Sequence, residues 1–367
     1  MIHSVNRHVF MIFTFESLFG SGTMEWIPLW TRDAKSGIWF PFILYAVLLL
    51  GLSLVLARVT PDKKKIVHEI SLWDFWLGSR VGGFFNLLFA CVFTFYAART
   101  LRLGIHLVHY IALPYTPTLV LVLLALLIPV QLFLGGFESL LRYQVFLFWP
   151  AILVAGFLLL MPLVHADFGN LLPLWPSSWG AIMDSCKRVM DLLTGLLLLF
   201  VYFPLIHRYS QEKISSRSVL IAGLGVIFFN SLNVLVALSV LGPFETSSLQ
   251  WPILEAIRIQ KLPSLFLERL DLVFFLPVLI AVSSAVNLYA FGAYHVLSQY
   301  NGGVRSKLGM GLYFFTIILL TTLPDTLDHI LLWYNWAFYV VEGLSLFLLP
   351  VLWWKNVLFL QKTENVS

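Results

Sequence analysis

Two short runs of small and polar residues interrupt otherwise apolar stretches, and both have the composition of a ligand cradle. Gly20, Ser21, Gly22 and Thr23 form the first. Two glycines two residues apart let the backbone leave a helix, and the freed N–H groups then face a ligand. A helix restarting beyond them offers its positive dipole end to a carboxylate. A small-residue packing face between helices accounts for the same run equally well. Thr194 and Gly195, followed by Pro204, form the second run. The charges before it, Asp184, Lys187, Arg188 and Asp191, read as a solvated turn in which Asp184 and Arg188 pair at i,i+4.

A third cluster is Ser283, Ser284, Ala285, Asn287 and Tyr289. Ser284 and Ala285 lie one helical turn from Tyr289, so a small polar notch and a phenol share a face. Hydrogen bonds between helices are the plainer use of such residues in lipid. Thr94, Tyr96, Arg99 and Arg102 fall in another apolar stretch. Intramembrane charge points to function, but these arginines sit toward one end and are expected to snorkel. Glu16 is the most deeply embedded carboxylate. It suits either a proton or cation role or an ion pair with an arginine elsewhere. Glu25 flanks the first run on its other side. No nucleophile elbow, zinc-binding His-Glu-x-x-His helix or phosphate loop occurs. The nine histidines do not cluster at ligand spacing, and Cys91 and Cys186 stand far apart. The sequence therefore predicts no enzyme, no metal site and no cofactor.

The elements that must position these residues are membrane helices. Hydrophobic residues make up 59% of the chain and charged residues 11%, with a mean hydropathy of +0.88. Soluble domains carry about 25% charged residues. Runs of about 20 apolar residues span the hydrocarbon core as helices, where the backbone must satisfy its own hydrogen bonds. Ten spans are expected, near 9–31, 38–57, 78–108, 117–135, 142–162, 183–206, 218–241, 270–297, 309–323 and 331–354. The chain forms a single membrane domain over 1–367. Tryptophans gather at span ends (Trp26, Trp30, Trp39; Trp73, Trp76; Trp353, Trp354), as in interfacial belts. Basic residues favour the side holding Arg58, Lys63, Lys64, Lys65, Arg208 and Arg217, which predicts both termini in the cytoplasm. The net charge of +4 reflects this loop bias and gives no reason to invoke nucleic acid. Trp251 to Ile257 is expected to form a short helix lying on the outer surface.

The chain divides into two sets of five spans, about 9–162 and 183–354. An odd number makes any duplication inverted across the membrane. Spans one and six both carry break signals, the sequence mark of a midplane binding site in transporter folds.

Several short motifs occur in a fixed order: Gly20-Ser21-Gly22 with Pro28; Arg102 followed by Leu113-Pro114-Tyr115-Thr116-Pro117; Gly135-Gly136-Phe137-Glu138; Asn170-Leu171-Leu172-Pro173-Leu174; Trp251-Pro252-Ile253 leading to Phe266-Leu267-Glu268-Arg269-Leu270-Asp271; and Leu323-Pro324-Asp325. Taken together, the chain resembles the B-subunit, permease-like family of nutrient germinant receptors of bacterial endospores, a branch of the amino acid–polyamine–organocation transporter superfamily. The resemblance implies an all-α integral membrane fold of ten helices in two inverted five-helix repeats, with helices one and six broken. It implies a small-molecule site between those two helices, closed by helices three and eight. Carried over by residue, that site includes Gly20, Gly22, Tyr96, Thr194, Gly195, Ala285 and Tyr289, with Ser284 adjacent. Leu196 and Leu197 stand where many relatives have a glutamate after the glycine, which makes that wall apolar.

Combining both lines, backbone N–H groups over Gly20–Thr23 are expected to hold a carboxylate, while Tyr96, Thr194 and Tyr289 shape the pocket. The resemblance implies a receptor subunit that binds a germinant, most often an amino acid, in the spore inner membrane. It also implies a receptor A subunit and a lipoprotein C subunit as partners. A secondary amino acid transporter coupled to H⁺ or Na⁺ has the same fold and is the competing reading.

Overall fold

A computed structural model describes residues 6–20, 26–59, 70–172, 178–210, 216–259, 270–300 and 306–323, with a few single positions beyond. Ser21, Gly22, Thr23, Glu25 and the Lys63–Lys65 loop lie outside the described residues, as does nearly all of the expected span 331–354. The described elements are helices: α1 (Arg7–Phe19), α2 (Trp26–Ala34), α3 (Trp39–Val59), α4 (Leu72–Ile111), α5 (Thr118–Leu160), α6 (Trp179–Lys187), α7 (Val189–Leu192), α8 (Thr194–Tyr209), α9 (Ser216–Ser248), α10 (Pro252–Arg258), α11 (Leu270–Tyr300) and α12 (Lys307–Thr322).

Among the described residues, five stretches are long and apolar enough to cross a bilayer: Trp26–Arg58, Leu72–Ile111, Thr118–His165, Arg217–Ser248 and Leu272–Tyr300. Thr194–Tyr209 and Lys307–Thr322 are shorter apolar helices. Large apolar side chains stand exposed along them, among them Val47, Phe84, Leu124, Phe146, Leu153, Phe157 and Phe228. In water such a belt would drive aggregation; facing hydrocarbon it is at rest. The chain is an all-helical, multi-pass membrane protein.

Helix α5 is 43 residues long. A straight helix of that length reaches about 65 Å, roughly twice the hydrocarbon thickness. It does not run straight. Gly136 sits at φ 72° and ψ −169°, a conformation closed to residues with a Cβ. Leu121, Ile128 and Pro129 before the break line one groove together with Tyr143 and Leu147 after it. The two halves therefore fold back on each other, with the turn falling between the expected spans 117–135 and 142–162.

The first expected span is also divided. Helix α1 closes at Phe19 with Gly20 as its cap, and helix begins again at Trp26. On the other side, turns at Arg188 and Leu193 separate α6, α7 and α8, so helix resumes at Thr194. α1 packs against α5, α8, α9 and α11, while α11 packs against α1, α4, α5, α8 and α10 and accepts a hydrogen bond from Tyr313 of α12 at the Ala290 carbonyl. These two helices form the axis on which the site is built.

Two local expectations are corrected. α10 forms where expected, but it does not lie on the surface. Trp251, Ile253, Leu254, Ala256 and Ile257 are all buried, and Trp251 and Leu254 pack with Leu107 of α4. Its apolar residues cover most of the helix circumference, so it inserts among α4, α9 and α11 rather than floating. Arg188 does not pair with Asp184. Its Nε lies 3.4 Å from Asp33 Oδ2, joining α2 to the turn between α6 and α7.

Candidate functional site

The expected site residues fall into two neighbouring clusters around the last turns of α1. In the first, Gly20 meets α11. A Cβ built on Gly20 would lie 3.0 Å from the Cβ of Ala285, so two small residues set the distance between the helices. Ser284 is buried beside them. Its Oγ lies 2.6 Å from Glu16 Oε2 and 2.6 Å from Gln144 Oε1. Gln144 in turn donates from Nε2 to the Ser284 carbonyl at 3.3 Å. α1, the second half of α5 and α11 are thus tied by one buried polar knot.

In the second cluster Thr194 opens α8 and donates to the Tyr96 hydroxyl at 3.3 Å. The Tyr96 and Tyr289 rings stack at 5.4 Å. All three residues are buried. Gly195 lies directly against α1: an added Cβ would come within 2.8 Å of Leu18 Cα and would collide with the Ser17 carbonyl. Gly195 therefore allows backbone-to-backbone contact between α1 and α8.

The free space lies beside the first cluster. A cavity of about 80 Å³ is bounded by Glu16 and Gly20 of α1, Trp26 of α2, Gly104 of α4, Asn230 and Asn233 of α9, and apolar side chains of the second half of α5 and of α11. Trp251 of the α10 segment closes one side. Of the expected site residues that are described, only Gly20 borders this space. Tyr96, Thr194, Gly195, Ser284, Ala285 and Tyr289 stand behind it in packed protein. Ser21, Gly22 and Thr23 lie outside the described residues.

Two further positions differ from expectation, and a third adds a contact not foreseen. Arg99 does not snorkel: it is buried, with its guanidinium carbon 6.0 Å from the centre of the Tyr96 ring. Among the described residues no arginine pairs with Glu16, whose hydrogen-bonding partner is a serine. Tyr143 reaches Ser283 at 2.8 Å, adding a second polar link between α5 and α11.

Sequence reasoning missed Gln144, Asn230 and Asn233. Gln144 stands at the start of an apolar run, and Asn230 and Asn233 lie one helical turn apart in another; amides so placed in lipid mark an inward-facing side. That signal was present but gave no partner. No group of three or more His, Cys, Asp or Glu capable of holding a metal occurs among the described residues. The arrangement can hold a small polar molecule at a helix break, with one carboxyl and two amides for its polar end and aromatic walls for the remainder.

Residues 4–329 match the model of a family described as spore germination protein. The chain is similar to spore germination protein KB of Bacillus subtilis (strain 168), at 27% identity over 297 residues covering 77% of this chain and 78% of the relative. It is similar to spore germination protein GerQB of Bacillus cereus, at 24% identity over 278 residues covering 76% and 75%. Spore germination protein B2 of Bacillus subtilis (strain 168) is 23% identical over 198 residues, covering 53% and 52%.

Proposed function

The chain belongs to the spore germination protein family, and from that premise we propose that it is the small-molecule-binding subunit of a nutrient germinant receptor. The observation that carries the reading is the cavity at the end of α1, where helix stops at Gly20 beside the Glu16 carboxyl and two asparagines. A helix break leaves backbone N–H and C=O groups without helical partners, and in a bilayer such groups are tolerated only where protein or a polar cavity receives them. A small amino acid satisfies both: its carboxylate would meet N–H groups over Gly20–Thr23 and its side chain the aromatic walls. The volume suits this class, since about 80 Å³ of free space accommodates roughly five to eight water-sized groups.

In this reading the protein sits in the spore inner membrane with both termini cytoplasmic. Ten helices are arranged as two inverted five-helix repeats. The cluster of Tyr96, Thr194, Gly195, Ala285 and Tyr289 forms the wall that fixes how α1, α8 and α11 meet. Ligand binding biases one arrangement of those helices over another, which requires unequal affinity for the two. A receptor A subunit and a lipoprotein C subunit read the change.

The test is to fill the cavity. Ala281→Phe places a ring in the free space from α11. Spores carrying it should hold normal amounts of the protein and lose the response to the germinant. An unchanged dose–response with normal protein levels would move the ligand elsewhere. The transporter reading is separated by uptake into proteoliposomes: a receptor binds without accumulating ligand, and ion-driven accumulation would replace this proposal with transport.

A further inference from the structure

The buried knot of Glu16, Ser284 and Gln144 has more acceptors than protons unless the carboxyl is protonated. Ser284 Oγ lies 2.6 Å from both Glu16 Oε2 and Gln144 Oε1. That separation lies within the O–H···O range and below the usual N–H···O range. A serine hydroxyl carries one proton. The bond to Gln144 must use it, because an amide oxygen has none to give. The amide cannot be turned round: its Nε2 donates to the Ser284 carbonyl, and reversal would set two carbonyl oxygens against each other. The proton between Ser284 and Glu16 must therefore come from Glu16.

The surroundings agree. Glu16 and Gln144 are buried, and Ser284 is 1% exposed. Among the described residues no Lys, Arg or His lies within ion-pairing distance of the Glu16 carboxyl. The titratable group facing it from α5 is Tyr143, bound to Ser283. α11 presents Ser284 itself, and α9 presents Asn230 and Asn233 across the cavity, with Asn230 donating to Tyr45 of α3 at 3.4 Å. On α4, Arg99 is held over Tyr96. With no cation beside it among the described residues, an ionised carboxylate in this setting would be a buried, unpaired charge, which costs several kcal/mol.

We propose that Glu16 is a proton-binding site at the end of the first helix, occupied in this conformation and able to release its proton to water in the adjoining cavity. The acid donates to Ser284 Oγ, which donates to Gln144. When α1 separates from α11, or the carboxyl is hydrated, the O–H bond breaks, the electron pair stays on Glu16 and the proton leaves through the cavity. Protons thus stabilise the arrangement with α1, α5 and α11 tied together, and raising the pH favours arrangements in which Glu16 meets water. The assignment does not depend on the identity of the germinant or on germinant binding.

Infrared spectroscopy of the purified full-length protein in lipid tests it at neutral pH without ligand. Protonated carboxyl and carboxylate groups absorb apart. The wild type minus Glu16→Gln difference should contain a protonated-carboxyl band. Ser284→Ala, which removes the partner and retains the acid, should move that band toward the frequency of a freer carbonyl. If the Glu16→Gln difference shows loss of carboxylate absorption instead, the site is ionised and the proposal is overturned. Should Glu16→Gln fail to fold, Ser284→Ala alone decides: a protonated-carboxyl band that does not respond to it also overturns the proposal.

Discussion

The two glycines that mark the helix breaks, Gly20 and Gly195, are alike in sequence and unlike in space. Gly20 ends α1 at the edge of a cavity, and its nearest neighbour across the gap is a methyl group, the Cβ of Ala285. Gly195 stands one residue into α8 with the backbone of Ser17 and Leu18 against it and no free space. The first break opens a site; the second brings two helices close enough to fix where that site opens. A break signal therefore identifies a region, and the neighbour decides whether it binds or packs.

Substitutions can break that comparison. The largest effect is expected at Gly195. Gly195→Ala drives a Cβ into the α1 backbone, which cannot yield as a flexible side chain does, at a cost of about 3 kcal/mol or more. Little folded protein should be recovered from membranes. A normal yield and an unchanged Tm would show that α1 and α8 part readily there.

Next comes Gly20→Ala. Its methyl group meets the Cβ of Ala285 at 3.0 Å across the helix contact and the Glu16 carbonyl of its own helix at 3.0 Å, so the strain is about 1–3 kcal/mol and the Ala285 part of it can be relieved by the partner. Gly20→Ala should lower Tm, and the double variant Gly20→Ala/Ala285→Gly should recover most of the loss. Strictly additive single losses would deny the contact.

Cavity filling follows, since it leaves the fold intact. Ala155→Phe from α5 should reduce germinant sensitivity about tenfold or more, equivalent to 1.4 kcal/mol, with normal protein levels. An equal fall in protein level and response would assign the effect to folding.

The smallest effect belongs to the packed wall. Thr194→Val removes a 3.3 Å hydrogen bond to Tyr96 and conserves volume. It should cost about 1 kcal/mol of stability and leave the ligand dose–response within a factor of about two. A large loss of response at unchanged Tm would place Thr194 against the ligand itself.

Much of the architecture was legible because the bilayer imposes it. Apolar length located the long helices, and the Gly135-Gly136 pair fell where α5 turns back. Interruption at Gly20 and again before Thr194 was readable from small residues inside apolar runs. Other features were hidden for definite reasons. Gln144 binds Ser284 across 140 positions, and Ser284 meets Glu16 across 268. No periodicity within one helix reports a partner so remote. Arg99 sits toward the end of an apolar run and reads as an anchor, yet it is buried over Tyr96, a contact that basic residues near a span end do not announce. The Trp251 segment reads as amphipathic, but it is drawn inward by neighbours that sequence spacing cannot supply.

Direct binding offers the sharpest test of the central claim. Equilibrium binding of a panel of radiolabelled amino acids should be measured on the purified chain in lipid, wild type beside Ala281→Phe. The account predicts that at least one binds the wild type saturably at one site per chain and that filling the cavity abolishes this binding. Saturable binding that persists undiminished in Ala281→Phe, or no binding by any amino acid to a chain verified as folded, would contradict it.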